Sequence, residues 1–160
     1  MSLGLPKFLQ RISIAVLSIS IAPLVTSANE TSHFGTLRVT ADEPAIAAGY
    51  TGGSLSLPLA IANRDREGNL CLGFGDPLPD YQLVLDRSFA NLSLVVDSGG
   101  RDTTLVVRGP RDAIVRCADD SEDGTDAVLV ASDWEPGTYD IWVGAIEPGV
   151  QWSYTLSIVP

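Results

Sequence analysis

The stretch Asp102-Thr-Thr-Leu-Val-Val-Arg-Gly-Pro110 decides the fold, together with Arg116-Cys-Ala-Asp-Asp120 and Gly137-Thr-Tyr-Asp-Ile-Trp-Val-Gly144. These segments are short β-branched or aromatic runs bounded by Gly-Pro, Asp-rich and Pro-Gly turns, as in hairpin-connected strands. Outward from them the same punctuation recurs about every 8–12 residues. Candidate strands are Gly35–Thr40, Gly53–Ile61, Tyr81–Leu85, Leu92–Asp97, Thr104–Arg108, Ala113–Arg116, Ala127–Ala131, Thr138–Gly144 and Ser153–Val159. Tyr139 to Val143 alternates, with Asp140 and Trp142 on one face, and Tyr154 to Ile158 keeps strict period two. Leu92 to Val96 passes from alternation into a continuous apolar run. No segment beyond the first 28 residues holds helical spacing through a capped run. The pattern predicts an all-β chain, an antiparallel β-sandwich of jelly-roll type with about eight or nine strands.

The first segment reads differently. Lys7 and Arg11 precede the apolar run Ile12 to Val25, and Thr26-Ser27-Ala28 ends in small residues. That is the pattern of a secretory signal peptide, residues 1–28, cleaved after Ala28. The run falls short of the roughly 20 residues a membrane-spanning helix needs, and Pro23 interrupts it. No membrane span is expected after cleavage. The sequence then divides into a flexible leader, 29–34, and one domain, 35–160. The address this implies is secreted or periplasmic.

Beyond Ala28 the chain carries 20 acids against eight arginines and no lysine, a net charge of −12. Nucleic acid and anionic membrane surfaces would repel such a surface. The two cysteines, Cys71 and Cys117, are even in number, which in an exported chain favours a disulfide. The competing two-thiol metal site lacks partners, since the sole histidine is His33.

Three constellations could carry chemistry. Asp97-Ser98-Gly-Gly100 is similar to the nucleophile segment of chymotrypsin-like serine peptidases. A hydrolase at Ser98 would have to draw its base from His33, and without an imidazole Ser98 is an ordinary hydroxyl. No lysine is available for a Ser-Lys dyad either. Second, Asp119, Asp120, Glu122, Asp123 and Asp126 crowd five carboxylates into one loop. Hard oxygen ligands on a flexible loop suit calcium, so Asp119, Asp120, Asp123 and Asp126 form the candidate metal set. The spacing is not that of an EF-hand, and a solvated acidic turn is the competing reading. Third, Trp134, Trp142 and Trp152 crowd the C-terminal part. Exposed, they would make a sugar-stacking platform; at strand positions they fill a core.

Taken in order, several elements between Gly35 and Val159 carry a resemblance: Cys71-Leu-Gly-Phe74, Pro79-Asp-Tyr-Gln-Leu83, Leu92-Ser-Leu-Val-Val-Asp97, Asp102 to Pro110, Cys117-Ala-Asp-Asp120 and Gly137 to Gly144. The chain resembles the bacterial pre-peptidase C-terminal domain and its small free-standing secreted relatives. The resemblance implies a jelly-roll-like sandwich that accompanies secreted peptidases without being catalytic, and that in some members binds calcium. It departs at Gly109-Pro-Arg-Asp-Ala113, where the relatives tend to have Gly-Pro-Asp-Gly. No peptidase domain is expected to precede the module, so a peptidase label inherited through this domain would not indicate proteolysis. The expected function is a non-catalytic binding or accessory module, calcium-stabilised, with an unknown protein or polysaccharide partner outside the cytoplasm. The alternatives are a carbohydrate-binding module using exposed tryptophans and a small serine hydrolase at Ser98.

Overall fold

A computed structural model describes residue 1 and residues 31–40, 43–121 and 124–160. Residues 2–28 of the signal-peptide segment, residues 29–30 of the leader, and Glu122 and Asp123 of the acidic run lie outside the described residues.

The strands are β1 (Thr36–Val39), β2 (Ala45–Tyr50), β3 (Leu55–Ser56), β4 (Phe74–Gly75), β5 (Tyr81–Leu85) and β6 (Phe89–Asp97). They continue as β7 (Thr103–Arg108), β8 (Val115–Ala118), β9 (Val128–Trp134), β10 (Gly137–Ala145) and β11 (Ser153–Val159). One helical turn, α1 (Leu57–Ala60), follows β3. The strands form a seven-stranded and a four-stranded sheet. In the larger sheet β10 is the hub. Its Ile141 faces Tyr81 of β5 on one edge and Val107 of β7 on the other. β1 extends the sheet beyond β5, β8 extends it beyond β7, and β4 with β3 meets the far end of β10. The smaller sheet runs β2-β11-β6-β9, antiparallel throughout.

Period-two patterning sets the core. Leu83, Leu105, Val107, Ile141 and Val143 from one sheet meet Leu92, Leu94, Val96, Leu156 and Ile158 from the other, all buried. Each such side chain contributes about 1.5–3 kcal/mol on burial. A second, smaller cluster lies on the outer face of the large sheet, where Leu57, Cys71, Val106, Val115, Cys117 and Trp142 pack together. The segment from α1 to Cys71 covers that face. Pro58 sits in the first turn of α1, where a missing N–H costs nothing. The Cys71–Cys117 disulfide, with Cα atoms 5.1 Å apart, fastens this cover to β8. β7 and β10 are therefore buried on both faces, which explains their dense apolar runs.

The structure corrects several expectations. Among the described residues there are eleven strands, and β2 and β4 were not anticipated. The Ala-Ile-Ala-Ala-Gly-Tyr sequence of β2 has little β propensity. It is held instead by its ladder to β11, and its smallest residue fits the packing. A Cβ on Gly49 would lie 2.6 Å from the Tyr154 hydroxyl and 2.8 Å from that of Tyr81. Gly53 to Ile61 is no single strand but β3 followed by α1. The antiparallel expectation fails at one pair, since β1 runs parallel to β5. The described part of the leader is docked rather than free. His33 and Phe34 donate backbone bonds to the carbonyls of Pro79 and Asp80 at 2.9 and 2.8 Å, and Phe34 packs on Tyr50 and Tyr81.

A candidate cation site at Asp102, Asp119 and Asp120

β7 and β8 form an antiparallel pair in which Leu105 faces Ala118. This register carries the residues before β7 alongside those after β8. Asp102 thereby joins Asp119 and Asp120, and each offers a carboxylate oxygen within 4.8 Å of the other two. Asp119 Oδ1 is buried with no hydrogen-bond partner among the described residues. Burial raises the Asp119 carboxyl above the ordinary carboxylate range, helped by the charges of Asp120 and Asp102. Asp102 is likewise raised, by burial first and then by Asp120 and Glu147. Three crowded carboxylates with a sealed, unpartnered oxygen match the donor chemistry of a hard divalent cation.

The expected set is thus redrawn. Asp119 and Asp120 converge, Asp102 joins them, and Asp123 lies outside the described residues. Asp126 is committed elsewhere. Its carboxylate accepts from the backbone N–H groups of Ser98 and Gly100, each at 3.0 Å, and from the Ser98 hydroxyl. It holds the β6–β7 turn, so it leaves the candidate metal set. Asp102 escaped the sequence reading because clustering was sought within one loop. The hairpin between Asp102 and Asp120 was the signal that could have found it.

That same geometry accounts for Ser98. Its hydroxyl donates to Asp126 and accepts the Arg101 N–H at 3.0 Å, so both roles serve the turn. His33 lies elsewhere, its Nε2 3.7 Å from an Asp76 oxygen. Ser98 and His33 form no hydrogen-bonded nucleophile–base pair.

The tryptophan platform fails on burial. Trp134 is 1% and Trp142 2% exposed. Trp134 donates its indole N–H to the Ala131 carbonyl at 2.9 Å and packs on Tyr139. Trp142 sits in the cluster beneath α1. Only Trp152 is partly accessible, with the Arg101 guanidinium 5.8 Å from its ring centre. Two of the three rings are unavailable to a sugar, so no coplanar pair exists.

A group the sequence reading passed over is Asp80, 8% exposed just before β5. Its Oδ2 accepts the Val143 N–H at 2.7 Å. Burial, then the charge of Asp76, pushes this carboxyl up to about 7, against the pull of the Val143 bond. Tyr154 beside it is also raised, by burial and by the charges of Asp80 and Tyr81.

No family model matches the sequence, and no curated protein matches it. Among solved structures the fold has a counterpart. The chain is similar to a pre-peptidase C-terminal domain. That structure is the 1.0 Å crystal structure of the domain from a Bacillus anthracis collagenase. Identity is 15% and the TM-score 0.48, over 82% of this chain and 99% of that one. It is the type of domain whose likeness runs through the sequence from Gly35 to Val159. At this distance the likeness concerns the fold, and nothing about the activity of this chain rests on it.

Proposed function

We propose that this chain is a non-catalytic β-sandwich module with a binding or accessory role outside the cytoplasm, steadied by calcium at Asp102, Asp119 and Asp120. The observation that carries the cation is the convergence of three carboxylates, one of which, Asp119, keeps a buried Oδ1 without a hydrogen-bond partner among the described residues. Burial first, and then the neighbouring carboxylates, raise Asp102 and Asp119, and a bound cation would relieve both. The non-catalytic reading is supported by Ser98, whose hydroxyl is spent on the turn it belongs to. The external address, secreted or periplasmic, is supported by the disulfide, which persists in oxidising compartments. The partner under this reading is a protein or polysaccharide of that compartment.

Thermal melts test the cation. A ligand at 100 times its dissociation constant adds about 2.7 kcal/mol, enough to raise the melting temperature by several degrees. Calcium raises it and chelator reverses the effect, whereas Asp102→Asn with Asp119→Asn removes the response. Equal melts with millimolar calcium and with chelator would leave a solvated acidic turn. Peptide or ester hydrolysis that Ser98→Ala abolishes would overturn the non-catalytic reading.

A further inference from the structure

β2 is an edge strand of the smaller sheet, bonded to β11 on one side only. The Thr51 N–H donates to the Trp152 carbonyl at 2.9 Å, one step beyond the β2–β11 ladder. In an antiparallel pair such bonded positions recur at every second residue. They therefore fall at Gly49–Tyr154, Ala47–Leu156 and Ala45–Ile158. The N–H and C=O groups of Ile46, Ala48 and Tyr50 point the other way, and none has a hydrogen-bond partner among the described residues.

An unpaired strand edge is a template for another strand, and proteins ordinarily blunt it. Elsewhere in this sandwich that is done. The Val115 carbonyl of β8 accepts the Arg66 N–H at 3.0 Å, and the Cys117 N–H reaches an Asp65 oxygen at 3.4 Å. On β9 the Ser132 and Asp133 carbonyls accept the Arg116 guanidinium at 3.2 and 3.0 Å. Among the described residues β2 has no such cover, and it carries no charge or proline of its own. Residues 44–63 contain no Asp, Glu, Lys, Arg or His. The core-facing Ala45, Ala47 and Gly49 are only half-buried, although Ile158, Leu156 and Tyr154 opposite them are buried. On the outer face Ile46 is 66% and Tyr50 51% exposed.

The occupant follows from charge and symmetry. Two copies of a chain with 20 acids against eight arginines, counting from residue 29, repel each other over most of their surfaces. The uncharged β2 edge lets them meet without that repulsion. The strand is also self-complementary. A two-fold axis at Ala48 sets Ala48 against Ala48, and Ile46 against Tyr50 of the other copy. The outward-pointing groups then close about six backbone hydrogen bonds. Each exposed Ile46 covers an exposed Tyr50, an aromatic and β-branched pair of the kind that stabilises sheets. Phe34 packs edge-on against the Tyr50 ring, 5.0 Å between centres, and steadies it for that contact.

We propose that β2 is a dimerisation edge, at which two copies of this chain pair antiparallel through Ile46, Ala48 and Tyr50 and join their small sheets into one. The inference goes beyond the function proposed above and needs neither its cation nor its external partner.

Sedimentation of the disulfide-bonded chain starting at Asn29, which holds the whole described sandwich, tests it in chelator. The weight-average mass rises toward twice the monomer's between about 10 µM and 1 mM protein, as a small interface allows. Raising salt from about 0.05 to about 0.5 M tightens the dimer at least about twofold, because screening weakens the repulsion between acidic copies. Hydrogen exchange read by NMR reports the register. The amides of Ile46, Ala48 and Tyr50 gain about tenfold protection as concentration rises, while those of Ala47 and Gly49 are protected throughout. Ala48→Pro removes an N–H that makes no bond to β11, which an edge position tolerates, and weakens the dimer at least about tenfold. Should thermal melting show that Ala48→Pro does not fold, Ala48→Asp decides, since it sets two carboxylates face to face across the axis. A chain still monomeric at about 1 mM overturns the proposal. So does a dimer that salt loosens, one that survives the folded variant, or one whose Ile46, Ala48 and Tyr50 amides gain no protection.

Discussion

Asp80→Asn should make this domain more stable, with a lead that grows as pH rises from about 4 and levels off above about 7. The Asp80 carboxyl is buried against Tyr81 and Tyr154, with Asp76 adding like charge, and its pKa is about 7 rather than 3.8. A folded-state pKa raised above the unfolded value means that the native state holds the proton more tightly. The stabilisation is complete below pH 4 and is lost as pH rises to 7. Three units at 1.36 kcal/mol each give about 4 kcal/mol, an upper figure for a group this buried. Asparagine keeps an oxygen to accept the Val143 N–H and carries no charge. Urea unfolding at pH 4, 6 and 8 should therefore show wild type and variant converging at pH 4. At pH 8 the variant should lead by about 2–4 kcal/mol, on the order of 10 °C in melting temperature. A variant no more stable than wild type at pH 8, or a gap that does not vary with pH, would refute the reasoning.

Other perturbations test other joints. Replacing Cys71 and Cys117 by alanine opens a loop of 46 residues. It should cost roughly 4 kcal/mol in denaturant titration, by the chain-entropy relation. Gly49→Ala places a methyl group against the Tyr154 and Tyr81 hydroxyls. It should destabilise by about 1–3 kcal/mol, with the loss of hydrogen-exchange protection centred on β2 and β11. Asp126→Ala removes the acceptor of the Ser98 and Gly100 N–H groups and should cost about 1–3 kcal/mol. Under the cation reading it should leave the calcium-induced rise in melting temperature intact.

What the sequence made legible was periodicity. β11 was placed at both ends because its strict alternation matches a half-buried strand residue for residue. β2 was unreadable for the opposite reason: its Ala and Gly carry no strand preference, and it is held by its ladder to β11, where Gly49 leaves room for the Tyr154 side chain. Alternation also put Trp142 on the face opposite Tyr139, Ile141 and Val143. It could not show that α1 and Cys71 cover that face, so exposed and core readings of the ring stood side by side until the structure buried it. The acidic loop illustrates the same limit. Proximity along the chain grouped Asp126 with Asp119, whereas the fold spends Asp126 on a turn and brings Asp102 from the other side of a hairpin. The bonds of Arg116 to the Ser132 and Asp133 carbonyls had no signature at all, because an arginine next to a cysteine says nothing about which carbonyls it will meet.

The order of strands has a temporal consequence. β10 is the strand that joins β5 to β7, and β2 reaches its sheet solely through β11. β10 and β11 are also the last two strands of the sandwich to leave a ribosome or an export channel. Until the chain from Gly137 to Val159 has emerged, only pairs such as β7 with β8 or β6 with β9 can form, and neither sheet can be completed. Closure then depends on contacts distant in sequence, which form slowly. A chain threaded through a narrow channel with its amino end first would thus stay unfolded, and transportable, until its final strands were released.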